Sequence, residues 1–228
     1  LHALASRVND QKLLGYFIEK GVDINQADNN GTTAFMNAVN RNKLEVITFI
    51  SSYVKDINAK NNKGETALSL AIANNSQEIV EFLIEKNADV NVLDANGNHL
   101  GYYLLHHYNS KNKDAFEAKL ALLQSKGLDI TLPQKDGNTL YHLALDKNDL
   151  ELLKRVHQFK IDINAKNNEG LTALHKAAMK ASDTEVLKYL ISIGADKSIT
   201  TDFEETVYDL ASENELLSQK NINIDFLK

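Results

Sequence analysis

Apolar residues fall along this chain in short paired clusters, separated by polar stretches of Asn, Asp, Gly and Lys. Residues 26–58 show the pattern clearly. Asp28-Asn29-Asn30-Gly31 reads as a turn, because Asp and Asn hydrogen-bond their own backbone and Gly accepts positive φ. Thr33 follows as a helix start, its hydroxyl able to satisfy an early backbone N–H. Phe35, Ala38 and Val39 then recur at helical spacing and predict a short amphipathic helix. Asn40-Arg41-Asn42 interrupts it, and a second helix begins near Leu44. Val46, Ile47, Phe49 and Ile50 make that helix apolar over most of its surface, so it must be covered on more than one side. Neither helix is long enough to persist alone in water. The unit becomes viable only by stacking on neighbours that bury both helices.

The unit recurs. Gly31-Thr32-Thr33-Ala34-Phe35 is echoed by Gly64-Glu65-Thr66-Ala67-Leu68 and Gly170-Leu171-Thr172-Ala173-Leu174-His175. An Asp closes each unit at 23, 56, 89, 129, 162 and 196, giving intervals of 33, 33, 40, 33 and 34 residues. A fixed period of this size marks a stacked repeat array. The phase gives a partial unit 1–25, full units 26–58, 59–91, 92–131, 132–164 and 165–198, and a degenerate cap 199–228, all within one elongated domain 1–228. About a dozen short helices and essentially no long strands are expected. Such an array lacks a single globular core and usually an enclosed pocket, which moves the expected function from catalysis towards binding.

Composition narrows this reading a little. A net charge of −6 argues against a nucleic-acid partner, which calls for a basic face. The absence of Cys removes disulfides, thiolate catalysis and Cys-ligated zinc. No apolar run approaches the roughly 18 residues that span a bilayer. The sequence opens at Leu1 inside a repeat and reads as a fragment, from which an N-terminal targeting segment could be missing. It fits a cytoplasmic or an exported protein equally, and a monomer is expected.

The turn Gly, the Thr two positions on, the Leu or Phe, the small Ala and the Glu-apolar pairs Glu45-Val46, Glu78-Ile79, Glu151-Leu152 and Glu185-Val186 resemble the ankyrin repeat. So do the closing phrases Gly21-Val22-Asp23, Asn87-Ala88-Asp89, Gly127-Leu128-Asp129 and Gly194-Ala195-Asp196. The family's usual Pro after the Thr is replaced by Ala34, Ala67, Leu100, Leu140, Ala173 and Val207, a tolerated change at a first helical position. The resemblance implies an all-α ankyrin-repeat solenoid of helix-turn-helix units with β-turn fingers. It also implies a non-enzymatic protein-interaction module, with no cofactor and no metal, that meets a partner protein on a concave side. The alternative is an accessory or regulatory domain of a larger enzyme, or an exported effector, whose catalytic part lies outside this sequence. Carried over position by position, the partner-binding stripe comprises the finger residues Asn30, Asn62, Lys63, Asn96, Lys135, Asp136 and Glu169. To these it adds the helix residues Arg41, Asn74, Tyr102, His106, His107, Lys147, Met179 and Lys180. His2, His142 and His175 occupy the family's Leu-His position and are expected to be structural hydrogen-bonders.

The pattern breaks in three places. Val54 and Lys160 stand where other units use Gly or Asn to leave the second helix through a left-handed residue, so a different exit is expected at both. The fourth unit is the serious break. His99 replaces the Thr, Gly101 replaces the core Leu, and seven extra residues separate the helices. The polar segment 109–114 reads as an enlarged interhelical loop, and the unit as the least stable of the array. Tyr102 and Tyr103 either anchor a partner or fill the space vacated by Gly101. His106 and His107 invite a metal, but neighbours on a helix point about 100° apart and no carboxylate shares their helix at a matching spacing. No phosphate loop, nucleophile elbow or acid/base carboxylate pair is recognisable.

Overall fold

The computed structural model describes residues 11–73 and 76–228. Among these lie thirteen short α-helices and three 3-10 turns, and no strand. The chain divides into two compact units, 1–129 and 130–228.

In the first unit the helices are α1 (Gln11–Glu19), α2 (Ala34–Asn40), α3 (Leu44–Ser51), α4 (Ala67–Ala73), α5 (Gln77–Glu85), α6 (Leu100–His106) and α7 (Lys113–Ser125). The first helices of successive repeats pack on one another, α2 on α4 and α4 on α6, and each packs on its own second helix. Repeat 26–58 behaves as its sequence dictates. Thr33 caps α2 by accepting from the Met36 N–H at 3.2 Å. Phe35, Ala38 and Val39 are buried, as are Val46, Ile47 and Ile50 of α3.

The fingers stack through backbone and amide groups. Asp28 Oδ1 accepts from the N–H groups of Asn30 and Thr32, at 2.8 and 2.9 Å, which folds the first finger. The Asn62 N–H donates to the Asn30 carbonyl at 2.9 Å, and the Ala95 N–H to the Lys63 carbonyl at 2.8 Å. The turn glycine is required twice over. Gly31 and Gly64 both sit at φ +74°, and a Cβ on either would lie 2.8 Å from the Asn62 nitrogen or 2.3 Å from the Ala95 nitrogen of the next finger.

The second unit contains α8 (Leu140–Ala144), α9 (Leu150–His157), α10 (Ala173–Lys180), α11 (Glu185–Ser192), α12 (Val207–Glu213) and α13 (Glu215–Gln219). Again the first helices stack, α8 on α10 and α10 on α12. A 3-10 turn, Asp225–Leu227, packs on α12 and buries Leu227. The acidic residues of this last repeat, Asp202, Glu204, Asp209, Glu213 and Glu215, are exposed, as expected of a cap.

Two expectations need amendment. The segment 109–114 is not simply a loop. Ser110–Asn112 form a 3-10 turn, and Lys113 and Asp114 already belong to α7, which runs for 13 residues. Amide side chains cause the ordering. Asn109 accepts from the Lys111 N–H, Asn112 accepts from the Asn109 N–H, and Asn112 Nδ2 reaches the His107 carbonyl at 2.8 Å. Tyr108 and Phe116 then close edge to face over this corner with ring centroids 5.1 Å apart. Secondly, Lys160 leaves α9 through the same left-handed conformation, at φ 56°, that Gly and Asn adopt elsewhere. Only Val54 takes the different exit expected of it, and its β-branched side chain is the reason.

Candidate functional site

The first unit displays its predicted stripe residues on fingers and helix ends. Asn30, Asn62, Lys63 and Asn96 are exposed at finger tips, and Arg41 is exposed at the end of α2. Asn74 lies outside the described residues. Asn30, Asn62 and Lys63 line one groove of about 500 Å³ together with Met36, Asn37, Asn40 and Leu70. Asn62 has structural work as well, since its Nδ2 donates to the Asn29 carbonyl at 3.0 Å.

The fourth repeat carries an aromatic cluster. The rings of Tyr102 and His106 stack with centroids 5.4 Å apart and planes inclined by 20°. His107 follows edge-on to His106 at 5.1 Å. Tyr102 is half-buried and His106 exposed. Tyr103 turns the other way. It is 7% exposed, and its hydroxyl donates to Asp94 Oδ2 at 2.9 Å. Burial, and then the Asp94 carboxylate, push this phenol well above its ordinary range. Of the two alternatives for these tyrosines, Tyr103 therefore fills space. His99 takes over the cap of α6, its Nδ1 accepting from the Gly101 N–H at 3.0 Å.

In the second unit Lys135, Asp136 and Glu169 are exposed on fingers, Met179 and Lys180 on α10, and Lys147 is half-buried in the 3-10 turn Leu145–Lys147. Asp136 is partly committed, accepting from the Asn138 N–H at 3.0 Å and side-chain amide at 2.6 Å. Asp146 holds two ammonium groups, Lys176 at 2.9 Å and Lys180 at 2.5 Å. Burial pushes its carboxyl up, but Lys180 and Lys176 prevail and hold it below the usual carboxylate range.

His142 and His175 are structural. Each Nδ1 accepts from the N–H of the capping Thr three residues earlier, Thr139 or Thr172, at 3.2 Å. This leaves the proton on Nε2, which in His142 donates to the Leu171 carbonyl at 2.9 Å. Burial lowers the pKa of both rings. His2 lies outside the described residues. Among those residues no three His, Cys, Asp or Glu side chains gather as a metal site, and no helix is long and apolar enough to cross a membrane.

Three roles escaped the sequence reading. The Asn of three Asp-x-Asn phrases stitches one repeat to the next. Asn25 Oδ1 accepts from the Lys55 N–H at 2.9 Å, Asn58 from Asp89 at 2.8 Å and Asn164 from Asp196 at 2.8 Å. The periodic recurrence of that Asn was the available signal. His157 is a partner of the buried Tyr141 hydroxyl at 2.8 Å. Asn214 is buried, and its Nδ2 donates to the carbonyls of Ala178 and Ala181, both at 2.8 Å. Nothing in the local sequence announced either contact.

Two family models of ankyrin repeats match, one over residues 1–94 and one over residues 141–191, and the chain belongs to the ankyrin repeat family. An ankyrin repeat protein of Rickettsia bellii (strain RML369-C) is similar, 43% identical over 77 residues that make up 31% of this chain and 45% of that protein. The chain thus matches less than half the length of this curated relative. Among solved structures, the ankyrin repeat domain of Bcl-3, a member of the IkappaB protein family, aligns with a TM-score of 0.70 and 21% identity over 96% of both chains. The human ASB11 ankyrin repeat domain aligns with a TM-score of 0.72 and 19% identity, over 95% of this chain and 94% of that one. At such identities the likeness shows the fold. Ankyrin repeats are in general protein–protein interaction modules.

Proposed function

We propose that this chain is a non-enzymatic adaptor that grips a partner protein with the finger tips and first-helix ends of its repeats. One observation carries the reading. Where a solvated helix end would show only polar groups, the chain displays the Tyr102–His106 stack and Met179, which is 50% exposed. Aromatic residues and Met are enriched at protein interfaces. Around them the backbone is held by finger hydrogen bonds and capped helices, so the surface is preorganised and little ordering cost attends binding. The test is to capture the partner from native material and footprint the complex by amide exchange. Protection is expected at residues 29–31, 62–64, 106–107 and 179–180. Protection confined to α3, α5 and α9, or to residues 109–114, would sink the reading.

A further inference from the structure

A cavity of about 340 Å³ opens in the second unit, beside the ends of α8 and α10. Leu153 and Ala177, 1% and 3% exposed, form an apolar floor. Leu145, Ala181 and Val186 line it further, and Asp146 and Lys180 bring charge to it. Its origin is visible in the chain. Eleven residues after the turn Gly, Asn42 and Asn148 turn the backbone at φ 56° and 47°. The equivalent Ala181 is instead extended, at φ −60° and ψ 138°. The repeat is also one residue longer, and Ala177, Ala181 and Ser182 are too small to fill the space this leaves.

The wall is built before any ligand arrives. Asn214 fixes the carbonyls of Ala178 and Ala181, and Lys220 Nζ donates to the Ser182 carbonyl at 2.9 Å. Two ammonium groups, Lys176 and Lys180, share the one carboxylate of Asp146, so this cluster beside the cavity carries a net positive charge, while Asp149 and Asp183 accept from the backbone N–H groups of Leu152 and Glu185. The two ammonium groups on Asp146 also differ. Lys176, with its side chain 15% exposed, is tied to the His142 carbonyl as well, whereas Lys180 is 57% exposed.

Resting on the reading that this face binds a partner protein, we propose that the cavity receives one bulky apolar side chain, Phe- or Leu-sized, from a partner segment with an Asp or Glu beside it. The apolar group covers Leu153 and Ala177. The neighbouring carboxylate takes Lys180, which swings off Asp146 while Lys176 keeps that carboxylate paired. The chain itself carries such a segment, Asp202-Phe203-Glu204-Glu205, whose Phe203 is 83% exposed at a finger tip. A single knob of this kind buries only about 150–250 Å², far below the roughly 1,200 Å² of a stable interface. The larger surface of a partner protein is therefore the occupant that fits.

The test selects phage-displayed random peptides on the full chain, then titrates the enriched synthetic peptides against the parent, Ala181→Leu and Lys180→Glu. The first variant fills the cavity; the second reverses its charge and leaves the wall intact. Enriched peptides should pair Phe, Leu or Met with an acid within two residues, and each variant should weaken them by about tenfold or more. Peptides that lack this pairing, no enrichment at all, or binding by either variant as tight as the parent's would overturn the proposal. If peptide binding ignores both variants yet is lost in Arg41→Ala or His106→Ala, the cavity proposal falls and the adaptor reading stands. If a peptide of residues 202–205 binds and the chain self-associates in sedimentation until Phe203→Ser is introduced, the occupant is a second copy and the partner proposal is overturned.

Discussion

Lys160 holds a left-handed backbone, φ 56°, with a side chain that disfavours it. The periodic slot it occupies was legible in the sequence, but its conformation was not, because an unbranched lysine can enter the left-handed region at a cost that the β-branched Val54 in the same slot does not meet. Lys160→Gly should remove this strain and stabilise the protein by about 0.5–1 kcal/mol, net of the added freedom of the unfolded chain. Denaturant unfolding measures it, and a loss of stability would show that the left-handed lysine is not strained. Lys119 is a buried basic residue that no local pattern singles out. It is 1% exposed on α7, and its Nζ donates to the Ile72 carbonyl at 3.4 Å, near the end of α4. Burial lowers its pKa to about 8, against about 10.4 in an unfolded chain. Between these values the unfolded chain binds more protons, so this group adds stability as pH rises above 8 and contributes no pH dependence below it. Relative to Lys119→Met, the parent should gain about 1–2 kcal/mol between pH 7.5 and pH 9.5 in urea unfolding. Parallel pH profiles for the two proteins would refute the buried ammonium.

The paired helices were legible at the scale of the element, because Thr caps and apolar spacing agree on them. The fourth repeat shows where that agreement stops. Its extra length was evident from the 40-residue Asp interval, but the run 109–114 has no apolar period and so reads as loop. Side-chain capping by Asn109 and Asn112 turns it into the entry of α7 instead. Phe116, 5% exposed, sits on that entry against Tyr108. Phe116→Ala should therefore cost about 3–5 kcal/mol, as in any well-packed core. A loose loop would lose well under about 1 kcal/mol, which denaturant unfolding separates easily. Leu83 of α5, fully buried, should cost about 2–5 kcal/mol on truncation to Ala. A smaller loss at Leu83 would mean that the second helices are less tightly covered than their burial implies.

Repetition made the whole molecule readable. Each repeat states the same turn, cap and pair of apolar faces, and neighbour contacts alone complete the core. The binding surface is less readable, because turn chemistry selects the same exposed Asn, Asp and Lys that a partner would touch. Asn62 and Asp136 illustrate the overlap, since both sit in the stripe and both make finger hydrogen bonds. The cavity beside α10 was invisible for a different reason: it arises from small residues and one extended alanine, which carry no periodic signal. Function and stability can nevertheless be separated by face. Arg41→Ala, His106→Ala and Met179→Ala remove exposed groups from the first-helix ends, and each should change stability by no more than about 0.5 kcal/mol. If these ends grip the partner, at least one should weaken capture by about 2 kcal/mol or more, the mark of an interface anchor. Glu81→Ala and Lys188→Ala, exposed on the second helices α5 and α11, are the controls and should bind as the parent does. Capture is compared at a temperature where every variant is folded. Should the controls lose the partner while the first-helix variants keep it, the second helices form the working face, and the stripe owes its polarity to turns and solvent alone.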